Sequence, residues 1–490
     1  MAKSYLLDGF EPQNVLRHFE DICSIPHGTG FEGALGDHVI ALAEKHGLAW
    51  SRDGGGNILV RVPASPGCEG AAPFLIQGHM DMVLAKEPRV TLDLETQPVE
   101  LVLEGNILRA DGTTLGADNA VGLCHMLALM EPSDLRHPPL ELLFTTAEEI
   151  GLVGIRKADL SGIRSRRMLN MDCGDPDVLV IGAAGGSKYD VTAAFPLTPA
   201  DGPGLKVEIA GLRGGHSGIE AGKNRASSVD LAGRLLSALC DRLPVRLSAM
   251  ETPSAANGFP RWQTLFLSVP ADRLDDARRV LAEMDREFTR EHAGIEPDYR
   301  MTVTDHPVAE AASAADTRTL ADFLLLVPFG VSRRSTDNPA WVLCSTLLAN
   351  ASFSGGAFHG YFTIRANRDT YRDAAVARLE ALCRITGFTA TPRSEPSPAW
   401  VERESSPLRD LCQSLSRELF GQEMRIQVEN GSVEVGVITV AIPDMDAVGF
   451  APKSRGAHTT DEHLYLDTMP VFWSLFTALL DRLCDLPDNS

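Results

Sequence analysis

PFLIQGHMDMV, residues 73–83, decides how this chain is read. It opens as a short apolar run with the character of a buried strand. It closes by placing His79 and Asp81 two residues apart, among glycine and methionine. Side chains at i and i+2 of a strand share one face, so the imidazole and the carboxylate converge where the strand ends. Open α/β sheets bind their ligands at such carboxyl ends. By itself the pair reads more readily as one exposed His and one exposed Asp of a surface loop, so the surrounding sequence has to decide.

Working outward, the neighbours supply a sheet. NILVRVPA (57–64) reads as a strand, separated from PFLIQ by the Pro/Gly-rich ASPGCEGAAP. LVLEGNILRADG (101–112) reads as a hairpin-like pair, and LELLFTTA (140–147) and RRMLNMD (166–172) as further strands. Residues 10–48 carry apolar positions at helical spacing, and DNAVGLCHMLALME (118–131) reads as a helix starting at an Asp–Asn pair. Strands alternating with helices predict an α/β domain with a largely parallel core sheet. Near residue 188 the texture changes. YDVTAAFPL, GLKVEIAGL, QTLFLSVP, YRMTVTDH and HGYFTIRAN alternate as strands with one exposed face, and SSVDLAGRLLSALCDRL and ADRLDDARRVLAEMDREFTREHA lie between them as helices. That predicts an inserted α+β domain with an antiparallel sheet covered by helices. The first texture returns near 396, with helices over 406–420 and 468–484. The expected division is therefore 1–188 and 396–490 for the α/β domain and 189–395 for the insert.

Bulk properties exclude several classes. The chain has 490 residues and a net charge of −21, with 44% hydrophobic residues. Such a polyanion lacks the clustered Lys and Arg that nucleic acid or an anionic membrane surface needs. Nine cysteines without a CxxC pair read as free thiols of a reducing compartment. The N-terminal stretch has no signal-peptide core, and LADFLLLVPFGV is too short to span a membrane and is broken by Pro328. A soluble cytoplasmic protein with neither nucleic-acid nor membrane partner is expected.

The pair at 79 and 81 has company. TLGADNAVG places Asp118 at a helix start, where it could also be an N-cap. LLFTTAEEIG ends a strand with adjacent Glu148 and Glu149, whose mutual repulsion implies a cation or a held proton unless both face solvent. RMLNMDCG ends another strand with Asp172, and RGAHTTDEHL supplies His458, with His463 as a second candidate. Imidazoles and carboxylates without thiolate suit zinc, manganese or cobalt. His79, Asp118, Glu149, Asp172 and His458 are enough for two divalent ions if one carboxylate bridges, which leaves Glu148 free to deprotonate a water. His125, seven residues beyond Asp118 on the same helix, reads as packed.

In order and spacing, GHMD, LGADNAVG, TTAEEIG and GAHTTDEH resemble the dinuclear metallopeptidase family M20. The nearest resemblance is to its Xaa-His dipeptidase branch (aminoacyl-histidine or cytosol non-specific dipeptidases), and it covers almost the whole chain. The resemblance implies metal ligation by His79, Asp118 (bridging), Glu149, Asp172 and His458, with two zinc ions. It implies Glu148 as general base and Asp81 as the partner that orients His79. It makes the insert a lid and dimerisation domain. There His216, in LRGGHSGIEAG, stabilises the oxyanion, in some relatives from the partner subunit, while Asn257 in NGFPR and Arg365 in TIRAN hold the substrate carboxylate. Glu434 is retained in a substrate-facing segment, but Asn430, Gly431 and Ser432 stand where the branch usually has His-Ala-Gly. The expected activity is hydrolysis of dipeptides, Xaa-His or broader, by a cytoplasmic homodimer acting on small peptides. The rivals are an N-acyl-amino-acid deacylase or amidase of the same family, and a non-catalytic binding protein on the same fold.

Overall fold

The computed structural model describes residues 4–200, 202–252 and 258–486. The chain divides into two compact units, one of Met1–Ala183, Trp400–Val428 and Val433–Ser490, the other of Ala184–Ala399 and Glu429–Ser432.

The first unit is built on an eight-stranded sheet. Its order is Ala49–Arg52, Ile58–Val62, Leu140–Thr145, Phe74–His79, Arg167–Asn170, Asp446–Gly449, Val178–Ala183 and Arg425–Glu429. Leu140–Thr145, Phe74–His79, Arg167–Asn170 and Asp446–Gly449 run parallel, flanked by antiparallel neighbours. The expected α/β class with a largely parallel core is thus observed. Every residue of Phe74–His79 is buried, as a central strand covered on both faces requires. Gly78 lets the helix Ala117–Ala128 come close: a Cβ there would strike the side chain of Asn119. On the opposite face Leu75, Leu143 and Met168 pack with Val435 and Ile438. The helical stretch expected over 10–48 is two helices, Gln13–Cys23 and Gly33–Lys45. Leu101–Glu104 and Ile107–Ala110 form the expected antiparallel pair. No helix among the described residues is long and apolar enough to cross a membrane.

The second unit carries the antiparallel sheet. Its strands run in the order Arg300–Asp305, Gly204–Ala210, Gln263–Ser268, Arg246–Glu251, Val342–Ser354, Ala357–Ala366, Gly185–Ala194 and Thr389–Pro392. Leu205, Val207 and Ile209 point into the core, while Lys206 and Glu208 do not, which is the period-two pattern of a sheet with one covered face. The covering helices include Ser228–Arg242 and Ala314–Leu326, capped by Ser227 and Ser313. They bury Leu235, Leu236, Leu239, Leu320 and Phe323 against the strands.

Candidate metal centre

Register assembles the site. In the parallel core His79 lies beside Thr145, and Gln77 beside Asn170. The chain therefore leaves the sheet at one level on three adjacent strands, carrying His79, the Glu148–Glu149 pair and Asp172 to the same edge. Asp118 arrives at the start of the helix that covers Phe74–His79. It has non-helical φ/ψ, just after Gly116 in the left-handed region. His458 comes from a loop and itself has a left-handed φ of 67°. Ala147, immediately before Glu148, has φ 50°. Strained backbone of this kind persists where the surrounding structure fixes it, often at functional sites.

Among the described residues, ligand-type atoms gather into three groups, each within 4.8 Å: His79, Asp118 and Asp172; Asp118, Glu149 and His458; and His79, Glu148 and Glu149. His79 Nε2 lies 3.0 Å from Asp118 Oδ1 and 3.3 Å from Asp172 Oδ1. His458 Nε2 lies 3.3 Å from Asp118 Oδ2 and 3.0 Å from Glu149 Oε2. Asp118 thus uses a different oxygen toward each histidine.

Asp81 organises this edge. His79 Nδ1 donates to the Asp81 carbonyl at 3.0 Å and lies 3.4 Å from Asp81 Oδ1. A proton held at Nδ1 leaves Nε2 free as a ligand atom. The Asp81 carboxylate also accepts the backbone N–H groups of Glu148 (2.9 Å) and Glu149 (3.1 Å) and the Thr29 hydroxyl (2.9 Å). One buried side chain therefore fixes both the imidazole and the acidic loop.

The electrostatics show a site short of positive charge. Burial would lower the pKa of His79, yet Asp172, Asp118 and Asp81 raise it well above the usual histidine value. Asp118 and Glu149 push His458 up to about 11. Burial and Asp118 push Asp172 up to about 7. Glu148 is raised by burial and, against the pull of His79, by Asp172, Glu149 and Glu434. Asp118, despite its burial, is held well below the carboxylate range by His458 and His79. The upward shifts of both histidines mark a concentration of negative charge that divalent cations would balance. Glu149 Oε1 is buried without a hydrogen-bond partner, a lone pair suited to such a cation. The all-N/O donor set fits zinc-like or harder divalent ions.

Glu434 lies beneath the strand ends, 1% exposed, taking hydrogen bonds from Thr145 Oγ1 (2.5 Å) and from Gln77 Nε2. Its Oε1 has no partner, and burial pushes its pKa up to about 8. His463 turns away from the cluster, bonding the Asp461 carbonyl and the Tyr465 hydroxyl. His125 is buried against Phe472 and Trp473.

The second unit holds its own polar cluster. Arg365 Nε donates to Ser217 Oγ at 3.1 Å, and Arg365 Nη2 lies 3.2 Å from His216 Nε2. Burial pulls the Arg365 pKa down to about 10. Asn430 Nδ2 donates to the Gly218 carbonyl (3.2 Å) and to Ser345 Oγ (3.0 Å), so this substituted segment ties the His216 turn to a strand. Asn257 lies outside the described residues.

The motifs did not single out Thr29, Gln77, Thr145 or Glu462. Glu462 had a signal, being one of two acids inside GAHTTDEH, but its partners lie about 350 positions earlier in the chain.

Comparison with known proteins places this geometry in context. The profile of peptidase family M20/M25/M40 matches residues 75–482. The chain is 29% identical over 482 residues to the cytosol non-specific dipeptidase of Escherichia coli K12, covering 97% of this chain and 99% of that one. The crystal structure of aminoacylhistidine dipeptidase from Vibrio alginolyticus superposes with a TM-score of 0.86 at 26% identity, covering 99% of both chains. Human carnosine dipeptidase 1 shares the fold at 14% identity and a TM-score of 0.51, covering 97% of this chain and 99% of that chain.

Proposed function

Because the chain belongs to peptidase family M20/M25/M40, we propose that it is a metal-dependent hydrolase that cleaves dipeptides, with broad or Xaa-His specificity. The observation that carries the reading is the pair of triads sharing Asp118, with Glu148 beside them. His79, Asp118 and Asp172 would hold one divalent cation, and Asp118, Glu149 and His458 a second, with zinc the first choice and manganese or cobalt the others. Such a pair polarises a scissile carbonyl and acidifies water.

The chain's own residues do the rest. Asp81 keeps the proton of His79 on Nδ1 and holds the backbone of the acidic loop. Glu148, which belongs to neither of the two triads that share Asp118, takes a proton from the attacking water on a carboxylate oxygen. It returns that proton to the nitrogen of the leaving amine. In the other unit Arg365, steadied by Ser217, offers a planar fork to the peptide carboxylate. The adjacent His216 supplies a donor for the developing oxyanion. The homologous Escherichia coli protein is named for the cytosol, and we assign this chain to the cytoplasm, as a homodimer formed through the second unit.

The test is digestion of a dipeptide library by purified protein loaded with zinc, manganese or cobalt, beside a panel of N-acetyl amino acids. We expect dipeptides to be cleaved. Cleavage confined to N-acyl substrates would make the protein a deacylase, and no cleavage of either would make it a binding protein.

A further inference from the structure

Glu462 has no part in the hydrolytic scheme above, yet it is among the most completely bonded carboxylates near the site. It is buried, 2% exposed. Its Oε2 accepts the N–H groups of Leu115 at 2.8 Å and Gly116 at 2.9 Å, and its Oε1 accepts the N–H of Asp118 at 3.1 Å. Both carboxylate oxygens are engaged, and the bond of Oε1 ends on the backbone of the residue shared by both triads.

The other end of this tie is the loop of His458. Thr459 N–H donates to the Gly456 carbonyl at 3.1 Å, and Glu462 N–H to the Thr459 carbonyl at 3.2 Å. Residues 456–462 are thereby wound into a short unit with His458 on one side and Glu462 on the other. The His458 side chain is half exposed, and its ion-pair partners are Asp118 and Glu149, both members of the cluster itself. The paired strands Ser454–Arg455 and His463–Tyr465 hold the base of this loop, and the three bonds of Glu462 tie its tip to the Asp118 backbone. His79 stands differently: it grows from a buried central strand and is oriented by Asp81. The two triads are therefore supported unequally.

We propose that Glu462 is a positioning residue that sets the spacing of Asp118 and His458, and that losing it selectively weakens the cation held by Asp118, Glu149 and His458. This rests on the two-cation reading above.

The experiment titrates the metal-free protein with Zn2+ and counts tightly held zinc after gel filtration, for wild type, Glu462→Gln and Glu462→Asp. Wild type should hold two ions. In Glu462→Gln one affinity should fall about 10–100-fold, the range seen when a partner of a ligand is removed, while the other stays within about 3-fold. His458→Ala should weaken the same ion, which identifies the triad. Glu462→Asp keeps the charge and should show the same split to a smaller degree. Both affinities unchanged, or both lowered by one factor, would overturn the proposal, the second outcome marking Glu462 as a purely structural anchor. It is equally overturned if neither variant folds as the metal-free chain. Fewer than two ions in wild type would instead sink the two-cation reading itself.

Discussion

Asp118 is the side chain whose removal should cost most. Each of its oxygens faces a different histidine, so Asp118→Ala should lose both ions together, and metal analysis showing one ion fully retained would refute the bridge. Glu148 and Glu149 are adjacent but should separate cleanly. Glu149→Gln replaces a carboxylate by a poorer amide ligand and should lower metal content. Glu148→Gln should keep its metal while turnover falls by at least about 10²–10⁴-fold, the usual worth of a positioned general base. Reversal of the two phenotypes would exchange the roles. The side chains of the cluster were legible because each sits in a short motif at the end of a strand or the start of a helix. Of what holds them, only the tie of Asp81 to His79 was. Asp81 bonds amides 67 and 68 positions away, and Glu462 bonds amides more than 340 positions away. Neither contact leaves a local pattern, because it depends on which strand lies beside which.

Among the elements, the helix Ala117–Ala128 makes a test that is independent of metal. Its His125 donates from Nδ1 to the Val121 carbonyl at 2.6 Å and packs edge-on against Phe472. Burial pulls its pKa from 6.5 down to about 4. Between those values the unfolded chain binds a proton that the folded chain refuses, so stability falls as pH drops through this window. A depression of this size is worth about 3 kcal/mol. His125→Leu should flatten that part of the stability–pH curve, as read from urea melts between pH 7 and pH 4; an unchanged slope would show that His125 is not the group. In the second unit Leu235 is fully buried beneath the sheet, and Leu235→Ala should destabilise that unit by about 2–5 kcal/mol. Strands with one exposed face, such as Gly204–Ala210, announced themselves by alternation. Val342–Ser354 did not, because its central residues are buried on both faces and mix Ser345 and Thr346 with Leu347 and Leu348, so no alternation shows. The helix Ala314–Leu326 was overlooked for the related reason that LADFLLL was weighed only as a membrane span.

At the scale of the whole molecule, light scattering at micromolar concentration should report a dimer; a fully active monomer would refute that assembly. The first unit is discontinuous. Its central sheet needs Asp446–Gly449, and its metal cluster needs His458, both of which follow the entire second unit in the chain. A ribosome therefore finishes the second unit while the first still lacks a central strand and a candidate ligand. Until the segment through His458 has emerged, no nascent copy can act on the peptides around it. Chains stopped after residue 440 should thus bind no zinc tightly and cleave nothing, even where residues 184–399 already resist protease. Hydrolytic competence would then be timed by the order of segments along the chain, arriving only when the strand and the ligand that follow the second unit have been made.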